Sequence, residues 1–133
     1  MKVPQFMPFL DLEEYEAIKD CFVKNWVTEG PKAKEFNNQL CEIIGVKYGV
    51  FAPNGTLALY LGLRSLNIGP GDEVIVPDFT FIASANAIEM VGAKPVFVDI
   101  TKELQIDINK CQELITKRTK AIMPCLLYTS PSP

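Results

Sequence analysis

Apolar and polar positions along this chain fall into two regimes, helical at the start and alternating afterwards. From Leu12 to Lys24 the apolar residues Leu12, Tyr15, Ile18, Phe22 and Val23 recur at helical spacing behind Asp11, with Glu13, Glu14 and Glu16 in the first turn; this predicts an amphipathic helix capped by Asp11. Trp26-Val27-Thr28-Glu29-Gly30-Pro31 breaks the pattern. A second helix is predicted from Lys32 to Ile44, with Phe36, Leu40, Ile43 and Ile44 on one face and Gly45 as its stop. From Tyr48 onward, short apolar runs at Tyr48–Ala52, Glu73–Pro77, Pro95–Asp99 and Lys120–Pro124 predict strands. Helical patterns lie between them at Thr56–Leu66, Thr80–Val91 and Asn109–Ile115. This β-α-β alternation predicts an α/β fold with a parallel sheet and right-handed crossovers, all four strands ending on one side. Ligands of such sheets bind outside the carboxyl ends of the strands.

That rule directs attention to the segments that follow the strands. After the first comes Asn54-Gly55-Thr56, a polar turn opening a helix. The amides at a helix N-terminus lack intrahelical acceptors and carry partial positive charge, so a phosphate can be held there without a lysine or arginine. Gly55 permits close approach and the Thr56 hydroxyl can donate. The same residues also suit an ordinary N-cap, and the pattern alone leaves both readings open. After the second strand comes Pro77-Asp78-Phe79-Thr80-Phe81. Phe79 suits packing, whereas Phe81, at a helix start facing the crevice, is placed to stack on a flat ring. Asn86 could reach a ligand or cap locally, and is assigned to no site.

Composition narrows the field by exclusion. With 133 residues the chain has room for one modest core, and its net charge of -3 gives no electrostatic footprint for nucleic acid. No apolar run approaches the ~20 residues of a membrane span, and a cytoplasmic protein is expected. The four cysteines are dispersed without a C-x-x-C pair, so neither a metal site nor a disulfide framework is expected. The lack of any histidine excludes Ser-His or Cys-His catalysis within these residues.

Five blocks, in order, carry a resemblance: Trp26–Pro31; Asn54-Gly55-Thr56-Leu57-Ala58-Leu59; Gly69-Pro70-Gly71-Asp72-Glu73-Val74-Ile75-Val76-Pro77; Phe79–Ile88; and Gly92-Ala93-Lys94-Pro95-Val96-Phe97-Val98-Asp99-Ile100. Over about Pro8–Pro124 the chain resembles the N-terminal part of the DegT/DnrJ/EryC1/StrS family of pyridoxal-phosphate (PLP) sugar aminotransferases. The resemblance implies a partial, truncated type I (aspartate aminotransferase-like) large domain with a mostly parallel sheet: a helical segment at 1–46, an α/β part at 47–124 and a non-native or truncated tail at 125–133. It further implies PLP as cofactor, held by Gly55, Thr56 and the Leu57 amide with Phe81 against the ring. Thr28 and Gly30 become candidates for substrate contact, an inter-helix turn being the plainer reading of that stretch.

The implied activity is transfer of an amino group, from a donor such as glutamate, to a nucleotide-linked keto-sugar by a homodimer. A PLP-dependent sugar dehydratase and a non-catalytic assembly domain are the alternatives. Such a transaminase needs a lysine amine to hold its cofactor covalently and a carboxylate at the pyridine nitrogen. In the family both lie beyond position 133, so no catalytic residue is expected here and Lys94, Lys117 and Lys120 are left unassigned. Family members continue Pro-Val-His-Leu-Tyr-Gly where this chain has Pro124-Cys125-Leu126-Leu127-Tyr128-Thr129, which points to a scar or truncation. An inactive chain with exposed apolar strand edges and helix faces is the expectation.

Overall fold

The computed structural model describes residues 9–26 and 28–126, so most of the expected tail lies outside it. The chain divides into two compact units, Met1–Val50 and Phe51–Pro133.

The first unit holds two helices, α1 (Leu12–Val23) and α2 (Pro31–Ile44). Asp11 starts α1 through a capping box: its carboxylate accepts from the Glu13 amide at 2.8 Å, and the Glu14 carboxylate accepts from the Asp11 amide at 2.8 Å. Pro31 opens α2 at a position where its missing N–H costs no hydrogen bond. Neither helix buries a residue, and Tyr15, Ile18, Phe22, Ile43 and Ile44 are all exposed. The expected exposure of apolar helix faces is therefore present.

The second unit is a three-layer α/β structure. Its elements are α3 (Gly55–Ser65), β1 (Glu73–Pro77), α4 (Ala83–Met90), β2 (Lys94–Val98), α5 (Ile108–Leu114) and β3 (Thr119–Ile122). The strands are parallel in the order β2-β1-β3, with Ile75 opposite Val96 on one side and Ile122 on the other. Central β1 is buried at every position because helices cover both its faces. Alternation along the strand sends Val74 and Val76 toward α3 and α4, where they meet Leu63, Ala87, Ile88 and Val91. Ile75 points the other way, to Val98 and to Cys111 of α5. Val74, Ile75 and Val76 have no exposed area, and each such burial contributes about 1.5–3 kcal/mol.

One expectation fails. The apolar run Tyr48–Ala52 predicts the first strand, and it forms none. A strand requires a neighbour for its ladder; β1 has β2 and β3 on its two sides, and the run pairs with neither outer edge of the sheet. Tyr48 and Val50 are exposed, as an apolar run without a sheet must be. The sheet has three strands among the described residues.

Candidate functional site

The carboxyl end of the sheet is fixed by hydrogen bonds at its two rims. At the strand starts, the Glu73 amide donates to the Arg118 carbonyl at 2.8 Å and the Lys94 amide to the Asp72 carbonyl at 2.9 Å; at the strand ends, the Asp78 amide donates to the Val98 carbonyl at 2.9 Å. Helices α3 and α4 pack on one face of β1. Their C-terminal ends lie together at the strand-start rim, because a Cβ on Gly92 would meet Pro70 Cγ at 3.0 Å and one on Gly69 would meet the Val91 carbonyl at 3.6 Å. Two packed helices with C-termini together have their N-termini together at the opposite rim. Gly55, Thr56 and Leu57 of α3, and Phe81 just before α4, thus share the carboxyl end of the sheet.

The α3 N-terminus is set by Asn54, whose extended backbone and side-chain oxygen, 3.0 Å from the Leu57 amide, form an N-cap. The Leu57 amide expected to serve a phosphate is therefore engaged by the cap, leaving the Gly55 and Thr56 amides without intrahelical acceptors. No acidic residue occupies the first turn of α3, in contrast to Glu13 and Glu14 in α1, so its positive end is not neutralised. Gly55 needs no special conformation, and a Cβ there would meet nothing within 4 Å. The chain itself does not demand glycine at this position, whereas close approach of a ligand would.

Phe81 is 66% exposed, Phe79 44%. Both lie on the loop that runs from β1 to α4, and Phe81 is the more open to a planar partner. Asn86 is exposed on α4.

Thr28 and Gly30 belong to the first unit. With Trp26, Cys21 and Lys24 they border a cleft of about 370 Å³ between the end of α1 and the start of α2. Gly30 has a local explanation: the Trp26 indole donates to the Glu29 carbonyl at 2.9 Å and lies so close that a Cβ on Gly30 would collide with its nitrogen. Thr28 is exposed.

Lysines sort by rim. Lys94 begins β2, Lys120 lies within β3 and Lys117 just before it, all toward the strand starts and away from Phe81. Lys110, which the sequence patterns did not single out, sits on α5 and pairs with Asp99, just past β2. The Asp99 carboxylate accepting from it raises the Lys110 pKa, with the charges of Asp99, Asp107 and Asp78 adding to the effect. An ammonium held in its charged form is a poor nucleophile. At the other rim, the buried Glu73 carboxylate accepts from the Thr116 hydroxyl and from Arg118 Nη2, each at 2.7 Å, with Lys94 at 3.5 Å. The Thr116 hydrogen bond first, then the positive charges of Arg118 and Lys94, hold that carboxyl below the ordinary glutamate range. This cluster joins β1 to β2 and to the approach to β3.

Among the described residues there is no group of three or more Cys, Asp or Glu arranged to hold a metal ion, and no helix is long and apolar enough to cross a membrane.

The model of the DegT/DnrJ/EryC1/StrS aminotransferase family matches residues 8–132. The chain is 41% identical over 131 residues to a GDP-perosamine synthase of Escherichia coli O157:H7, covering 97% of this chain and 36% of that protein. It is 45% identical over 123 residues to the GDP-perosamine synthase of Caulobacter vibrioides, covering 91% of this chain and 33% of that protein. Among solved structures, the PLP form of Spr1654 from Streptococcus pneumoniae superimposes with a TM-score of 0.84 at 38% identity, over 92% of this chain and 31% of that one. The chain thus spans about a third of the length of the relatives it matches.

Proposed function

This chain belongs to the DegT/DnrJ/EryC1/StrS aminotransferase family, and from that membership we propose that it supplies the phosphate-gripping and ring-facing part of a PLP site. The whole protein would move an amino group from an amino-acid donor such as glutamate to the keto carbon of a nucleotide-linked sugar, working as a homodimer. What supports this reading is the open α3 N-terminus together with the side-by-side packing of α3 and α4, from which Phe81 falls at the same end of the sheet.

The residues fit the group. The Gly55 and Thr56 amides would donate to phosphate oxygens, and the Thr56 hydroxyl would add a third donor. The missing side chain at Gly55 leaves the space through which the phosphate approaches. Asn54 holds the first turn of α3 in shape through the Leu57 amide, and that amide would reach the phosphate only if the Asn54 side chain released it. The Phe81 ring would lie against one face of the cofactor and keep water from it. Bound there, PLP would supply an electron-withdrawing ring that stabilises the negative charge left when a substrate carbon loses its proton. Thr28 and Gly30 contribute to the substrate side, with the Trp26–Gly30 contact fixing the shape of their turn.

Calorimetric titration with pyridoxamine phosphate, pyridoxamine and inorganic phosphate tests the reading. Pyridoxamine phosphate is expected to bind more tightly than either part alone, and Thr56→Val to weaken both phosphate-bearing ligands. Equal affinity for pyridoxamine phosphate and pyridoxamine would contradict it.

A further inference from the structure

Phe81 stands on a five-residue loop, Asp78–Ile82, with its ring largely in solvent, so the orientation of that ring depends on what fixes the loop. The first anchor is the Asp78 amide on the Val98 carbonyl at 2.9 Å, which prolongs the β1–β2 ladder by one bond. The second is the Ser84 amide on the Phe81 carbonyl at 3.0 Å. The third joins two side chains: the Thr80 and Ser84 hydroxyls are 3.0 Å apart, Thr80 immediately before Phe81 and Ser84 three residues after it.

Serine is the odd member of its surroundings. The buried face of α4 is Ala83, Ser84, Ala85, Ala87 and Ile88, and Ser84 is only 7% exposed. Alanine would fill nearly the same volume and favours a helix more strongly. What serine adds is a hydroxyl, and that hydroxyl is spent on Thr80. The N-cap residue of α4, Ile82, offers no side-chain cap, so nothing else of that kind ties the loop to the helix.

We infer that the Thr80–Ser84 hydroxyl pair is a positioning device that sets the Phe81 ring for its planar ligand. Neither hydroxyl touches that ligand; both act through the loop. This rests on the PLP reading given above, and the experiment separates the two.

The parent chain and the variants Ser84→Ala, Thr80→Val, Thr80→Ser and Phe81→Ala are titrated with pyridoxamine phosphate and, separately, with inorganic phosphate. Loss of the loop anchor is expected to weaken pyridoxamine phosphate binding about three- to tenfold in Ser84→Ala and Thr80→Val, the range one hydrogen bond commands. Inorganic phosphate, which meets only the α3 N-terminus, stays within about twofold of the parent, as only the loop is altered. Thr80→Ser keeps the hydroxyl and retains both affinities. Phe81→Ala shows how large the ring's share is. If Ser84→Ala and Thr80→Val bind pyridoxamine phosphate as the parent does, or lose both ligands in equal measure, the positioning role is overturned while the PLP reading stands. If the parent itself does not prefer pyridoxamine phosphate to inorganic phosphate, the PLP reading falls and the inference with it.

Discussion

Replacing Gly55 by alanine separates what the chain needs from what its ligand needs. Gly55 is the first residue of α3, and a Cβ built on it meets no atom within 4 Å. Alanine in a compatible helical conformation stabilises by about 0.4–1 kcal/mol, chiefly by narrowing the unfolded ensemble. For a chain of this size that raises Tm by about 1–4 °C. The added methyl tilts toward the helix N-terminus, as every helical Cβ does, and so enters the space a phosphate needs. A charge-assisted hydrogen bond contributes about 1.5–3 kcal/mol, so losing one lowers phosphate affinity by about tenfold or more. Thermal unfolding by circular dichroism and titration with inorganic phosphate read the two effects separately. The expected result is a chain that is at least as stable and binds phosphate more weakly. Phosphate affinity equal to the parent's would refute the argument that the glycine serves the ligand.

Three further outcomes are expected. Ile75→Ala removes a side chain with no exposed area from the central strand and should cost about 2–5 kcal/mol, seen as a lowered urea midpoint with an unchanged slope; a midpoint shift corresponding to less than half of that would mean the sheet is not the core. Glu73 has a depressed carboxyl pKa, so its stabilising contribution is complete above the ordinary glutamate value and is lost as pH falls through the lower, folded value. Thr116→Val, which removes the largest cause of that depression, should move acid unfolding to higher pH, and an unmoved acid transition would show the cluster to be energetically idle. Asn67 sits in the left-handed conformation at the end of α3, its amide on the Arg64 carbonyl at 3.0 Å and the next amide on Leu63 at 3.1 Å. Asn67→Gly should leave the melting temperature level or slightly higher and Asn67→Ala should cost about 1 kcal/mol, an ordering that the reverse result would contradict.

Helices were legible in the sequence because each carries its own punctuation. Asp11 with Glu14, Pro31, Asn54 and Asp107 start helices within their own few residues, and Gly45 and Gly92 end them in left-handed turns. The helix expected at Thr80 begins at Ala83, because Thr80 spends its hydroxyl on Ser84 and leaves the preceding residues as loop. Strands were legible only where a partner exists. Glu73–Pro77 and its two neighbours follow the apolar runs closely, whereas Tyr48–Ala52 is apolar too yet pairs with neither outer edge of the sheet. Apolar content reports willingness to be buried, and pairing is decided elsewhere in the chain.

The candidate site shows the same division. Phe81 could be placed at the carboxyl end of the sheet from the order of elements alone, since it follows β1; Gly55 and Thr56 follow no strand, and they reach that rim because α3 packs alongside α4. The cap on the Leu57 amide was hidden, because an Asn before a helix serves a cap and a ligand turn equally well in sequence. The contact that makes Gly30 necessary was also hidden, as it depends on how the Trp26 ring folds over the turn. Glu73 lies more than forty positions from both Thr116 and Arg118 and meets them only because β1 and β3 are neighbours. No local pattern marks such a cluster.

The central claim is that the α3 N-terminus and the Phe81 loop together form one cofactor-binding rim. Amide NMR of the labelled chain during titration with pyridoxamine phosphate addresses it residue by residue. The account predicts the largest shifts at Gly55, Thr56 and Leu57, with a second set at Phe81 and Ile82, all following one binding curve. Shifts concentrated instead around Asp72, Lys94 and Arg118, at the opposite end of the strands, would contradict it.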